Sequence, residues 1–153
     1  MIIYLACRIY QLLEEFQDKR IFIVVPSISL VEQMYSDFQN FSTYENSNWS
    51  VSKYVQRVSE KYSKQIEKQI IITTWQSMDK MPHWIYEDMG AVFVDEVHTA
   101  SANTLTSILE RATRTSIRHG LTGTLDGTEA NEMAIRGLLG QDKRFVSARD
   151  LID

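Results

Sequence analysis

Apolar positions along the chain follow two periods. Ile2, Leu5, Ala6, Ile9, Leu12, Leu13 and Phe16 recur at intervals of three and four, which predicts a helix over residues 2–16 that buries this stripe. Only Met1 precedes it, so the helix has no residue able to cap it, and the chain is expected to begin inside a helix, as an N-terminally truncated domain would. Lys19 and Arg20 are followed by Ile21-Phe22-Ile23-Val24-Val25, a continuous apolar run of the kind found in strands covered on both faces, ended by Pro26. Ser29 with Glu32 three residues later predicts a capping box, and Leu30, Val31, Met34, Tyr35, Phe38 and Phe41 then make a helical stripe. From Ser42 to Gln69 the chain is polar, and Val51, Val55 and Val58 fit either one exposed strand or a short helix.

A second buried strand, Ile70-Ile71-Ile72-Thr73, leads into Thr74-Trp75-Gln76-Ser77, and a third, Ala91-Val92-Phe93-Val94, leads into Asp95-Glu96-Val97-His98. Ala102, Leu105, Ile108, Leu109 and Ala112 suggest another helix, after which residues 116–125 read as a fourth strand entering Thr122-Gly123-Thr124. Thr128 can cap a last helix carrying Met133, Ala134, Leu138 and Leu139, with Gly140 placed to stop it. Strands alternating with helices predict an α/β fold, an open, mostly parallel sheet flanked by helices, whose ligands sit at the carboxyl ends of the strands.

The length, 153 residues, suits one domain that needs no disulfide staple. Sixteen Lys and Arg stand against 20 Asp and Glu, a net charge of −4, which excludes a histone-like basic coat and confines any nucleic-acid contact to a local surface. The single cysteine, Cys7, excludes an internal disulfide framework and a finger-type zinc site, and no apolar run approaches the ~20 residues of a membrane span. A cytoplasmic protein is expected.

The sharpest chemical signal is Asp95-Glu96-Val97-His98 at the end of a buried strand. Adjacent carboxylates there suit nucleotide hydrolysis, one positioning Mg²⁺ through water and the other orienting the attacking water, although both could simply face solvent or cap the next helix. With this context the sequence resembles the superfamily-2 DExH helicases, and within them the phage branch-migration helicases of the UvsW kind. Val25-Pro26-Ser27 with Leu30, Val31 and Gln33 is similar to motif Ia, and Thr73 to Ser77 to the next DNA-contacting motif. Asp95 to His98 matches motif II, and Leu121-Thr122-Gly123-Thr124-Leu125 resembles motif III.

The resemblance implies a RecA-like motor domain of an ATP-dependent enzyme that unwinds or branch-migrates DNA in recombination and repair. It implies that Asp95 holds Mg²⁺ through water, Glu96 activates the hydrolytic water, and His98 relays nucleotide state, a relay that Thr122, Gly123 and Thr124 join. It also implies that Pro26, Ser27, Thr74 and Gln76 follow one DNA strand's phosphates, single-stranded or branched, with neutral donors. The departure is the phosphate-cradling loop, since no Gly followed after four residues by Gly-Lys-Ser/Thr occurs in the 153 residues. The expectation is therefore a partial first motor domain over residues 1–153, inactive without a P-loop segment and a second RecA-like domain. Two other readings stay open, a non-catalytic DNA-binding module and a metal-dependent hydrolase that ligates metal through Asp95, Glu96 and His98.

Smaller features carry blander expectations. Lys53, Arg57, Lys61, Lys64 and Lys68, interleaved with Trp49, Tyr54 and Tyr62, could stack and bind DNA or could form an ordinary solvated face. Arg111, Arg114, Arg118 and His119 are expected at the surface or paired with carboxylates. Trp75 and Trp84 are expected to pack, and Cys7 to be inert.

Overall fold

A computed structural model describes residues 1–60, 65–99, 101–115 and 117–121, apart from the side chains of His98 and Ala102. The expected motif III residues Thr122, Gly123 and Thr124, the last helix, and Lys61, Tyr62 and Lys64 lie outside the described residues.

The apolar runs form the centre of a five-stranded, all-parallel sheet in the order β2-β3-β1-β4-β5. Its strands are β1 (Arg20–Val25), β2 (Val55–Val58), β3 (Ile70–Thr74), β4 (Met89–Val94) and β5 (Ile117–Gly120). Every residue of β3 and β4, and all of β1 after Arg20, is buried, because helices cover both faces. On one face Phe22, Val24, Ile71, Val92 and Val94 pack under α4 (Trp75–Asp79), α5 (His83–Glu87) and α6 (Ala102–Arg111). On the other, Ile21, Ile23, Val25, Ile70, Ile72 and Phe93 pack under α1 (Ile2–Leu12), α2 (Ile28–Tyr44) and the one-turn α3 (Val51–Tyr54).

The valines at 51, 55 and 58 resolve into both alternatives, a helical turn followed by an edge strand, and all three are buried. The cap of α2 lies two residues ahead of the expected one. Ser27, in extended conformation, accepts from the Leu30 N–H at 3.4 Å, while Ser29 lies inside the helix and Glu32 pairs with Arg57 at 2.9 Å instead of closing a capping box.

The first helix is the largest correction. It ends at Leu12, a separate 3-10 turn spans Glu14–Phe16, and its inward side is Ile3, Tyr4 and Cys7. Of the expected stripe, Ile2, Leu5, Ile9, Leu12 and Leu13 face outward, while Ala6 packs against the core and Phe16 is buried. Tyr4 explains the choice. Its ring meets Phe38, Phe41 and Trp49 at centroid distances of 5.3–5.6 Å and its hydroxyl donates to Glu45 at 2.7 Å, a fit that no Leu or Ile at this site would reproduce.

Among the described residues, several side chains of both basic clusters engage the protein itself. Arg57 lies 4.1 Å from the Tyr35 ring, Lys53 5.0 Å from Tyr54, and Lys68 reaches the Ser52 carbonyl. Arg111 pairs with Asp79 at 2.8 Å, and Arg118 donates to the Leu109 and Ala112 carbonyls at the end of α6. Trp75 packs as expected, whereas Trp84 is more than half exposed. Burial pushes the Cys7 thiol far up, in keeping with an inert residue.

One buried hydroxyl weakens the sheet. Thr73 is fully buried in β3, and among the described residues its Oγ1 has no partner. Thr73→Val keeps the branched shape and removes the orphan, so chemical denaturation should find the variant about 1 kcal/mol more stable; equal or lower stability would mean that the hydroxyl is satisfied.

Candidate functional site

The register places the chemically marked segments along one edge. Val25 is level with Thr74, Val24 with Val94, and Val94 with Gly120, so the chain leaves β3, β1, β4 and β5 side by side at their carboxyl ends. At parallel-strand spacing, Thr74, Pro26, Asp95 and Leu121 span about 15 Å. After β1 the chain turns one way to β2 and β3, then crosses to β4 on the other side. The ends of β1 and β4 therefore form the topological switch point where open α/β sheets bind ligands.

At that point Asp95 and Glu96 are both half-exposed. The Asp95 N–H donates to the Val24 carbonyl at 2.9 Å, and the Asp95 Oδ1 accepts from the Glu96 N–H at 3.0 Å, which fixes the carboxylate relative to the central strand. The Glu96 carbonyl accepts from both the N–H and the hydroxyl of Thr99, at 2.9 and 2.8 Å. Leu121, just past β5, donates to Val94 and accepts from Val97, so the strand next door clamps both sides of the turn.

Glu96 has φ 51°, in the left-handed region. Among the described residues only Asn46 shares this, and asparagine tolerates it, whereas for glutamate it stores about 1 kcal/mol or more. Hydrogen bonds on both flanks hold a strained residue where a glycine would be relaxed.

The Asp95 carboxyl is raised from its ordinary value, chiefly by burial; the Glu96 amide bond lowers it, the Glu96 charge raises it, and the amino terminus at Met1 lowers it. A raised folded-state pKa means that folding takes up a proton near pH 4. The associated stability is present below the unfolded value and lost as pH rises through the folded one. At pH 7 the ionised carboxylate is thus a liability. Asp95→Asn, whose Oδ1 can still accept the Glu96 N–H, should melt higher at pH 7, with the advantage fading as the pH falls below about 4. Identical melting curves at both pH values would refute this.

His98 lies in the 3-10 turn Val97–Thr99 that follows, and its side chain is outside the described structure. On the flanking strands, Ser27 is half-buried, caps α2 and shares a 3.0 Å bond with Ser29, and Pro26 is half-buried beside it. Thr74 is buried and caps α4, its Oγ1 accepting from the Ser77 N–H at 3.2 Å and donating to the Ser77 hydroxyl at 3.1 Å. Gln76 is exposed on the first turn of α4. The edge therefore brings together Asp95, Glu96, Pro26, Ser27 and Gln76, with Thr74 acting on the shape of the turn.

The donor set fits one side of a magnesium-nucleotide site. Mg²⁺ is commonly held by one or two carboxylates plus water and substrate phosphates, and no group of three or more His, Cys, Asp and Glu is assembled among the described residues. The sequence contains no P-loop string to cradle the phosphates.

The strained turn at Glu96 and the bulge at Gly90, where β4 shifts register against β1, are features that motif reading missed. Only the isolated glycine inside a strand run signalled the second.

A family model described as type III restriction enzyme, res subunit, matches residues 3–127. The chain is 27% identical over 141 residues to the ATP-dependent DNA helicase uvsW of Enterobacteria phage T4, which covers 92% of the chain and 28% of that protein. A crystal structure of the UvsW helicase from bacteriophage T4 superposes with a TM-score of 0.76 at 26% identity, covering 91% of this chain and 48% of the other. A crystal structure of the DUF1998 helicase MrfA bound to DNA shares the fold, at a TM-score of 0.54 and 14% identity over 84% of this chain and 20% of the other. The chain thus spans a little over a quarter of the curated relative. A match over most of its length, carried by an all-parallel sheet with the acidic turn at its switch point, means that this chain belongs to the type III restriction enzyme res-subunit family, with a UvsW-like helicase fold.

Proposed function

We propose that residues 1–153 are part of the first RecA-like domain of an ATP-dependent DNA helicase or translocase, working in the cytoplasm, and that they carry its water-activating and DNA-tracking elements. One observation supports this most, the alignment of Asp95 and Glu96 with Ser27 and Gln76 along a single strand edge. Asp95 would hold Mg²⁺ through water, Glu96 would orient the attacking water, and His98 with Thr122, Gly123 and Thr124 would relay the state of that site. Bound Mg²⁺ would offset phosphate charge. Pro26, Ser27 and Gln76 would meet the phosphates of one DNA strand, single-stranded or branched, through neutral contacts that ignore base identity, with Thr74 shaping the turn that presents Gln76.

A P-loop segment and a second RecA-like domain would complete the nucleotide site. The test is ATP binding and DNA-stimulated hydrolysis by the 153-residue chain, beside an Asp95→Ala, Glu96→Ala double variant. The expected result is no turnover by either. Robust turnover that the double variant abolishes would show phosphate cradled without a P-loop and would overturn this division of labour.

The missing Gly-Lys-Ser/Thr string also favours a second reading, a DNA-binding module without turnover. Supplying a P-loop segment separates the two, because hydrolysis restored through Glu96 belongs to a motor and continued silence to a binding module.

A further inference from the structure

A DNA strand crossing the carboxyl edge of the sheet carries a charge on every phosphate, whereas the donors of Ser27 and Gln76 carry none. Lys19, Arg20, Lys53 and Lys68 stand at the amino ends of β1, β2 and β3, at the far end of the sheet. Arg57 is placed differently. It lies one residue from the carboxyl end of β2, level with Ile72 of β3, the strand that leads to Gln76. From there its side chain reaches α2, bonding Glu32 at 2.9 Å and lying 4.1 Å from the Tyr35 ring. Ser29, Glu32 and Tyr35 follow one another at intervals of three on one face of α2, and the Ser29 hydroxyl is bonded to that of Ser27. Arg57 is thus anchored to the same helix face as these hydroxyls, roughly 5 Å farther along its axis, or one turn.

Resting on the DNA-tracking reading of this edge, we infer that Arg57 is a further phosphate-binding residue of the track, held in position by Glu32 and Tyr35. The surroundings suit that role. Stacking on Tyr35 fixes the plane of the guanidinium, so little side-chain freedom is left to lose when an anion arrives. A guanidinium is a planar fork of five donors, which can serve a carboxylate along one edge and a phosphate along another, as a lysine could not. The Arg57 and Glu32 side chains are 29% and 33% exposed, so their pairing is a weak brace in itself and leaves the guanidinium within reach of the surface. One charged contact beside several neutral ones also fits a chain whose net charge of −4 forbids a broad basic surface.

Fluorescence anisotropy of the full chain on a labelled oligothymidylate, repeated across a salt series, tests this. Arg57→Ala should weaken binding about tenfold, as the loss of one charged hydrogen bond does. It should also flatten the slope of log affinity against log salt by about 0.7, the signature of one single-strand phosphate contact. Arg57→Gln, which keeps much of the bulk and a donor for Glu32, should show the same flattened slope with a little-changed melting temperature, separating charge from folding. Glu32→Gln, which keeps an acceptor for Arg57 and removes the competing charge, should tighten binding severalfold. A mere structural brace would instead make Glu32→Gln weaken binding as Arg57→Ala does, and that result, or an unchanged slope in either Arg57 variant, overturns the inference. Binding that depends on Ser27 and Gln76 but not on Arg57 overturns it and leaves the DNA-tracking reading standing, whereas no binding by the wild-type chain overturns both.

Discussion

Phe22→Ala is expected to destabilise the protein by about 3–5 kcal/mol, a large part of the roughly 5–15 kcal/mol that holds a domain together. Phe22 is fully buried in the central strand, with Ile71 and Val92 as its neighbours in register. It shares its cluster with Met78, Ile85 and Tyr86 from the covering helices. Strands on both sides fix the backbone, so the walls cannot collapse into the space left. Thermal melting followed by circular dichroism should show a drop of roughly 10 °C or more. A drop of only one or two degrees would mean that the sheet relaxes around the cavity and is not the rigid frame described.

Gly90→Val is expected to cost about 3 kcal/mol, for the opposite reason. Gly90 sits at the register shift between β1 and β4, where Arg20 pairs with Met89 but Ile21 with Ala91. A Cβ there would lie 2.8 Å from Phe16 Cε1 and 2.9 Å from Lys19 Cβ. Phe16 is itself buried and stacked on Tyr10 at 5.2 Å, so it cannot swing aside without disturbing the underside of α1. Denaturant titration should give a lowered midpoint for Gly90→Val, with Gly90→Ala in between. Wild-type stability in the valine variant would show that the 3-10 turn carrying Phe16 yields easily.

The three central strands β1, β3 and β4 were legible because each is an apolar run covered on both faces, a pattern independent of distant partners, whereas the edge strand β2, with Gln56 and Arg57 at its centre, was not. The helices were less so. In α1 the strongest periodicity belongs to the side left in solvent, since the inward side is built from Tyr4 and Cys7, whose apolar packing a hydrophobic stripe does not register. The cap at Ser27 escaped for a related reason. Ser29 with Glu32 satisfies the capping rule locally, but Arg57, brought in by an edge strand 25 residues on, takes the Glu32 carboxylate. Of the candidate site, the acidic pair and its place at a strand end could be read directly. That Thr74 would be buried and Gln76 exposed could not, because it depends on the turn into a five-residue helix.

Whether this strand edge meets DNA is directly measurable. Fluorescence anisotropy with a labelled single strand, across a salt series, measures that for the chain and for a Ser27→Ala, Gln76→Ala double variant. Because the proposed contacts of Pro26, Ser27 and Gln76 are neutral, binding that weakens only modestly as salt rises is predicted. Two lost neutral hydrogen bonds should weaken it about tenfold, and Asp95→Ala, off the DNA track, should leave it unchanged. Absent binding, or binding indifferent to Ser27 and Gln76, would contradict the account.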